Sequence, residues 1–168
     1  MKKKIAILGS TGSIGKTLLN IVEKDKKNFE IKLLTANQNY KLLFHQAKKF
    51  KVKNIIITDF KNYLKIKKLN KDKNINIYKD FKDINKILNK KIDYSMSSIM
   101  GLDGLLPTIK IIKYTKNIAI VNKESLICGW DLIKKEIKKH KTNFVPINSE
   151  HFSIYTLIKN NKISDIEK

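Results

Sequence analysis

The sequence contains no arginine, although lysine is abundant. The 168 residues include 36 lysines, and the formal net charge is +21. Specific recognition of base edges and phosphates favours the planar guanidinium group of arginine. The lysines recur along almost the whole chain instead of forming one cluster, and the excess of Lys, Asn and Ile indicates a genome rich in A and T. We therefore expect no specific nucleic-acid partner.

Cysteine and long apolar runs are also scarce. The single cysteine, Cys128, excludes an internal disulfide framework and is typical of a reducing compartment. No apolar run approaches the roughly 20 residues that span a bilayer, so we expect no membrane association. The basic start is followed by the short apolar run Ile5–Leu8, which is too short for a signal peptide. These absences predict a cytoplasmic, globular protein.

Apolar β-branched runs alternate with helical segments from the first residues onward. This alternation predicts an α/β fold, with a doubly wound, mostly parallel Rossmann-like sheet and helices on both faces. Strands are predicted at 4–8, 30–35, 54–58, 75–78, 92–97, 117–121 and 143–147. Apolar residues at spacings of three and four predict helices at 14–24, 40–50, 60–69, 80–89, 103–114 and 123–140.

A glycine-rich segment, Gly9-Ser10-Thr11-Gly12-Ser13-Ile14-Gly15, follows the first predicted strand and opens the first predicted helix. Glycines at this position let the backbone turn sharply and approach a pyrophosphate, while free amides at the helix N-terminus face the anion. The alternative interpretation is a merely tight turn. The location between strand and helix favours nucleotide binding. The candidate cofactor-binding residues are Gly9, Thr11, Gly12, Ser13, Ile14 and Gly15.

The end of the second predicted strand bears on the choice of cofactor. NAD-selective folds usually place a carboxylate there to bind the ribose hydroxyls, and NADP selectivity needs that carboxylate absent. The stretch from Leu34 to Lys41 has no acidic residue. It therefore favours NADP over NAD, with Asn37, Gln38 and Asn39 as candidate contacts. An ordinary polar turn is the alternative.

Two later strands are followed by polar segments, Asn122-Lys123-Glu124 and Asn148-Ser149-Glu150-His151. The first offers a cation and a carboxylate at the sheet edge where open α/β sheets bind ligands. In the second, Glu150 is a candidate ligand for a hard divalent cation such as Mg²⁺ or Mn²⁺. A structural interpretation stays open for both segments, because capping residues and carboxylates also stabilise helix N-termini.

Taken in order, these segments resemble the signatures of the 1-deoxy-D-xylulose 5-phosphate reductoisomerase family. The resemblance includes Gly101-Leu102-Asp103-Gly104-Leu105-Leu106-Pro107-Thr108 and extends along the whole chain. The resemblance implies an N-terminal domain that binds NADPH. It also implies an oxidoreductase of isoprenoid precursor biosynthesis, which rearranges the sugar phosphate and reduces it to 2-C-methyl-D-erythritol 4-phosphate. A divalent metal would chelate the substrate oxygens.

The resemblance also implies roles for individual residues. Asn39, Asn122 and Glu124 would contact the cofactor together with the glycine-rich segment. Lys123, Ser149 and Glu150 would bind substrate and act in catalysis, and Glu150 would ligate the metal, with Asn148 as a weaker second ligand. We place the dinucleotide-binding domain at 1–147 and the start of a catalytic domain at 148–168.

Three departures from the family pattern qualify these expectations. Asn148 stands where the family usually has an aspartate, which removes a negative charge from the metal site. Asn37-Gln38 replaces a Gly-Lys pair near the 2′-phosphate, so discrimination between NADPH and NADH should be modest. The family's remaining metal carboxylate, active-site loop and C-terminal domain would lie beyond Lys168. We therefore expect the chain alone to be catalytically silent, either as a fragment or as the product of a shortened gene.

Two other functions stay open at this point. One is a related NADP-dependent reductase of the homoserine or semialdehyde dehydrogenase type, which also combines a glycine-rich turn with an Asn-Lys pair. The other is a nucleotide-binding remnant without catalysis. A homodimer is expected only if a full-length form exists.

Overall fold

Seven parallel strands form one sheet in the computed structural model, which describes residues 1–71 and 73–147 and, beyond them, residues 152, 153, 156 and 158. The spatial order is β4-β3-β2-β1-β5-β6-β7. The strands are β1 Lys3–Leu8, β2 Phe29–Ala36, β3 Asn54–Ile57, β4 Asn76–Tyr78, β5 Ile92–Ser97, β6 Thr115–Ile120 and β7 Asn143–Pro146.

Six α-helices connect these strands and cover both faces of the sheet. They are α1 Ser13–Lys24, α2 Tyr40–Lys49, α3 Phe60–Leu69, α4 Ile84–Ile87, α5 Leu105–Ile112 and α6 Lys123–His140. Side chains alternate along each strand, so Ile5 and Ile7 pack with α1, α2 and α3. Ala6 and Leu8 face the other way and pack with α4, α5 and α6. Two apolar cores therefore enclose the sheet, as a buried parallel sheet requires.

The strand order changes direction at β1. Strands β2 to β4 lie in chain order on one side of β1, and β5 to β7 lie in chain order on the other side. The neighbours β1 and β5 therefore send their following helices to opposite faces of the sheet, which opens a crevice beyond their carboxyl ends. The predicted doubly wound, Rossmann-like fold is confirmed.

The main departure from the predicted elements lies between β4 and β5. A helix was expected over 80–89, but α4 covers only Ile84–Ile87. The Asp80 carboxylate accepts a hydrogen bond at 2.7 Å from the amide of Lys82, and such local side-chain bonds compete with helix formation. The predicted helix 103–114 begins as a 3₁₀ turn, Leu102–Gly104, and its α-helical part is α5, Leu105–Ile112. No helix of the described residues is long and apolar enough to cross a membrane.

Asp93 joins three strands at the edge opposite the crevice. Its Oδ2 accepts from the amide of Lys4 on β1 at 2.9 Å, and its Oδ1 accepts from Lys116 Nζ on β6 at 2.8 Å. The bond from Lys116, followed by the bond from Lys4, holds the pKa of the Asp93 carboxyl below its ordinary value of 3.8. A lowered folded-state pKa means that the stabilisation is present above the unfolded value and is lost as pH falls through the folded value.

We predict that Asp93→Asn makes the acid dependence of stability shallower. At neutral pH the free energy of unfolding should fall by less than about 1 kcal/mol, because the side chain is about a third exposed and the ion pair is screened. Between about pH 5 and pH 3 the variant should lose less stability than the unmodified protein. Urea denaturation across this range measures both effects. Asp131→Asn, at an exposed position of α6, is the control, and an equal flattening in that variant contradicts the assignment.

Candidate functional site

Polar segments meet at the carboxyl edge of the sheet, because parallel strands end at a common edge. They follow β1, β2, β5 and β6, at residues 9–15, 37–39, 98–104 and 122–124. The crevice between β1 and β5 lies among them. Ligands of open α/β sheets bind at such a switch point.

The turn after β1 requires glycine at two positions. Gly9 has a φ of +80°, and a Cβ there would lie 2.8 Å from the main-chain oxygen of Ser98. A Cβ on Gly15 would lie 2.4 Å from the main-chain oxygen of Gly9 and 2.6 Å from the Cα of Ser10. These neighbours are backbone atoms, which cannot rotate away as a flexible side chain can. The two glycines therefore allow α1 and the loop after β5 to pack directly on the turn.

Helix α1 begins at this turn without a side-chain cap. Its N-cap is Gly12, and Gly12, Ser13 and Ile14 are exposed. The other described helices of ten or more residues are capped by side chains, those of Asn39, Asp59 and Asn122. The first amides of a helix need acceptors from outside the helix. The N-terminus of α1 is therefore suited to an anionic ligand, which the helix dipole also favours.

Residues that were not predicted from the sequence to belong to the site hold the turn after β1 in place. Thr35 Oγ1 accepts from the Gly9 amide at 3.0 Å, and the Thr35 main-chain oxygen accepts from the Ser10 amide at 2.9 Å. Gln46 is bonded to Ser10, and Ser98 Oγ donates to the Leu8 main-chain oxygen at 2.7 Å. One signal was present in the sequence, since Gln46 interrupts the apolar stripe of α2 next to Ala47.

The segment predicted to meet the adenosine end of the cofactor, residues 37–39, is exposed. Asn39 Oδ1 caps α2 by accepting from the Leu42 amide at 3.2 Å. Asn37 Oδ1 accepts from Thr58 Oγ1 at 3.1 Å, and the Asn37 main-chain oxygen accepts from the Asp59 amide at 3.2 Å. The fold thus brings an acidic residue close to this segment, which the sequence of the second strand did not show. The Asp59 carboxylate caps α3.

Asn122 is 5% exposed, and its side chain is engaged within the protein. Oδ1 accepts from the Ser125 amide at 2.9 Å and caps α6. Nδ2 donates to the main-chain oxygen of Ile99 at 2.6 Å and to that of Gly101. Gly104 packs on the same amide, because a Cβ there would lie 2.7 Å from Asn122 Nδ2. The side chain thereby fixes the loop after β5 against the start of α6.

Lys123 and Glu124, the next two residues, are exposed in the first turn of α6. Both stand at the crevice edge of β6, where the sequence predicted substrate and cofactor contacts. A carboxylate in the first turn also interacts favourably with the helix dipole, so Glu124 has a structural role as well.

The predicted metal and substrate residues Asn148, Ser149 and Glu150 lie outside the described residues. So does the proposed domain boundary between residues 147 and 148. The strand that precedes them, β7, pairs in parallel with β6 and ends at Pro146 on the crevice edge. The described residues contain no group of three His, Cys, Asp or Glu side chains that could hold a metal.

The fold and the glycine-rich turn define a doubly wound, Rossmann-like domain of the class in which ligands bind at the switch point. A sequence model of 1-deoxy-D-xylulose 5-phosphate reductoisomerase matches residues 5–129. The chain belongs to this family.

Individual relatives agree with this assignment. The reductoisomerase of Pelagibacter ubique is 58% identical over 168 residues, and that of Clostridium kluyveri is 38% identical over 169. These matches cover 99% of this chain but only 43% and 44% of the relatives, so the chain spans less than half of their length.

Solved structures of the family share the fold. The Zymomonas mobilis enzyme in complex with NADPH superposes with a TM-score of 0.84 at 29% identity, covering 93% of this chain and 41% of that one. A reductoisomerase in complex with NADPH, fosmidomycin and magnesium gives a TM-score of 0.83 at 31% identity, covering 92% of this chain and 38% of that one.

We predict that alanine is tolerated at Gly12 but not at Gly15. A Cβ at Gly12 would meet only the Gly9 main-chain oxygen at 3.4 Å, an ordinary contact, whereas a Cβ at Gly15 would overlap backbone atoms. Gly15→Ala should lower the free energy of unfolding by about 1–3 kcal/mol through overpacking, and Gly12→Ala should change it by less than about 1 kcal/mol. Chemical denaturation measures both, and equal effects would refute the described packing.

Proposed function

We propose that this chain binds NADPH at the β1–β5 crevice and is the cofactor-binding part of a 1-deoxy-D-xylulose 5-phosphate reductoisomerase. The observation that carries the proposal is the uncapped N-terminus of α1, which stands at the switch point of the sheet in a member of this family. The activity would be the rearrangement and reduction of 1-deoxy-D-xylulose 5-phosphate to 2-C-methyl-D-erythritol 4-phosphate.

The turn fits a pyrophosphate on steric and electrostatic grounds. The space beside Gly12 is open, since a Cβ there would have one neighbour within 4 Å. The amides of Ser13 and Ile14 begin the helix, and Thr11 and Ser13 add hydroxyl donors in the same segment. A dinucleotide pyrophosphate laid over Gly12 would therefore meet donors and the positive end of the α1 dipole.

Residues 37–39 would contact the adenosine end. No carboxylate lies within this segment to repel a 2′-phosphate, which favours NADPH. The nearby Asp59 works against that preference, and Gln38 supplies no compensating cation. Lys41, exposed in the first turn of α2, is the next cation along the chain. We therefore infer a modest preference for NADPH over NADH.

The catalytic side of the proposal concerns α6 and the residues after β7. Lys123 would bind the substrate anion from the crevice edge, and Glu124 and Asn122 would support the cofactor. Ser149 and Glu150 would contact the substrate, and Glu150 with Asn148 would hold Mg²⁺ or Mn²⁺, which polarises substrate oxygens when bound. Family membership favours this activity over the homoserine and semialdehyde dehydrogenase alternatives.

Localisation, assembly and the choice of metal are further parts of the proposal. We infer a cytoplasmic enzyme that acts on a small sugar phosphate, with a homodimer expected only if a full-length form exists. Purified from its natural source, the protein that contains this chain should oxidise NADPH only when both 1-deoxy-D-xylulose 5-phosphate and a divalent cation are present. NADPH oxidation that does not depend on the sugar phosphate would contradict this assignment.

We predict that the chain binds NADPH more tightly than NADH by a small factor and that Gly12→Val weakens both by at least about tenfold. Gly12 has φ −74° and ψ 173°, extended values that valine adopts, so the variant should fold while its side chain fills the pyrophosphate position. Fluorescence titration of the reduced nucleotides measures the dissociation constants. Ionic strength should be at least about 0.15 M, so that non-specific attraction to the lysines is screened.

Asn20→Val provides a matched control for the titration, because Asn20 is an exposed position on the same helix. It should leave both affinities unchanged. A clear preference for NADH would overturn the NADP assignment. Failure of the folded wild-type chain to bind either nucleotide would overturn nucleotide binding and favour a non-binding remnant.

A further inference from the structure

A buried glutamine on α2 is bonded at two points to the turn after β1. Gln46 Oε1 accepts from the Ser10 hydroxyl at 2.8 Å, and Nε2 donates to the Ser10 main-chain oxygen at 3.0 Å. Gln46 is 5% exposed and Ser10 is fully buried. We propose that Gln46 is a positioning residue for the cofactor: it holds the turn so that the first amides of α1 face the pyrophosphate.

The pair of bonds needs an amide in one orientation. The Ser10 main-chain oxygen can only accept, so it must face the Nε2 donor, and Oε1 is then left for the hydroxyl. A carboxylate would place an acceptor against that main-chain oxygen. A hydrocarbon side chain of the same length would leave both Ser10 groups without these partners.

Gln46 stands where α2 otherwise contributes apolar residues to the core. Leu43 and Ala47, on the same face, are fully buried in the apolar cluster beside the sheet. Burying an amide there costs free energy unless it is hydrogen-bonded. Its partner is the turn itself, which lies 36 positions away in the sequence. Thr35 anchors the same turn from β2, so the turn is held from two neighbouring elements.

The inference rests on the proposed nucleotide binding and makes it more specific. Gln46 acts on the turn that would meet the pyrophosphate, which NADPH and NADH share. The exposed segment 37–39 would instead meet the 2′-phosphate, which only NADPH carries. Loss of the Gln46 bonds should therefore weaken both nucleotides by the same factor and leave their ratio unchanged.

The test compares Gln46→Met with two controls on the same helix. Gln46→Met keeps the length of the side chain and removes both bonds, and we expect both dissociation constants to rise about tenfold. Leu43→Val removes a methylene from the apolar core and keeps Gln46, and His45→Ala changes an exposed neighbour. Affinities are compared under conditions where urea denaturation shows every variant to be folded. Both controls should bind as the wild type does.

A second variant separates positioning from general loss of packing. In Gln46→Glu the ionised carboxyl lacks the donor for the Ser10 main-chain oxygen, whereas the protonated carboxyl has one O–H donor and one acceptor and restores both bonds. Its affinity relative to wild type should recover as pH falls from about 8 to about 5.5, because burial favours the neutral form. Gln46→Met should show no such recovery.

Amide hydrogen exchange tests the same contact without ligand. The amides of Gly9, Ser10 and Gly12 should exchange faster in Gln46→Met, while those in the middle of β1 keep their protection. Unchanged exchange at the turn, or wild-type affinity in Gln46→Met, would overturn the inference alone. If the affinities for NADPH and NADH fell by different factors, the inference would also be overturned, because Gln46 would then act at the end of the cofactor that carries the 2′-phosphate. A folded wild-type chain that binds neither nucleotide would overturn the proposed function and this inference together.

Discussion

The site depends on the close approach of α1 to the turn that follows β1. The approach exists because Gly15 has no side chain and lies directly against the backbone of Gly9 and Ser10. β1 is the central strand of the sheet and is buried from Ile5 to Leu8, so the turn starts from a rigid support. The direction of α1, and with it the direction of its first amides, follows from this contact. A pyrophosphate site made of backbone amides can be no better ordered than the backbone that presents them.

Two buried side-chain amides then fix the loops on either side of the crevice. Gln46 holds the turn after β1, and Asn122 holds the loop after β5 against α6. Both are almost fully buried, and in both the amide nitrogen donates to main-chain oxygens of a loop. Unpaired groups of this kind would be costly, so each amide favours one loop geometry. The exposed residues Lys123 and Glu124 directly follow Asn122, so they extend from a backbone position that these hydrogen bonds fix.

The sequence was sufficient for the fold and for the glycine-rich turn, because alternation of apolar residues and glycine spacing are local signals. It was insufficient where the partner is distant in the chain. Gln46 and Thr35 act on Ser10 from other elements, and Asp59 reaches Asn37 from the end of β3. Asn122 was predicted as a cofactor contact, but its side-chain donors are directed at loop oxygens 21 and 23 positions away. The predicted helix 80–89 was too long, because Asp80 forms a local turn that competes with helical bonding before α4 begins at Ile84.

The proposed function requires that the N-terminus of α1 binds the pyrophosphate of NADPH. Titration of ¹⁵N-labelled protein with NADPH, followed by amide NMR, tests it most directly. We expect saturable shifts that are largest at Gly12, Ser13 and Ile14. A different lysine-rich region, the cleft lined by Phe44, Lys48 and Lys51 near the far end of α2, provides an internal comparison. Saturable shifts confined to that cleft, with unchanged amide signals in α1, would contradict pyrophosphate binding at the N-terminus of α1.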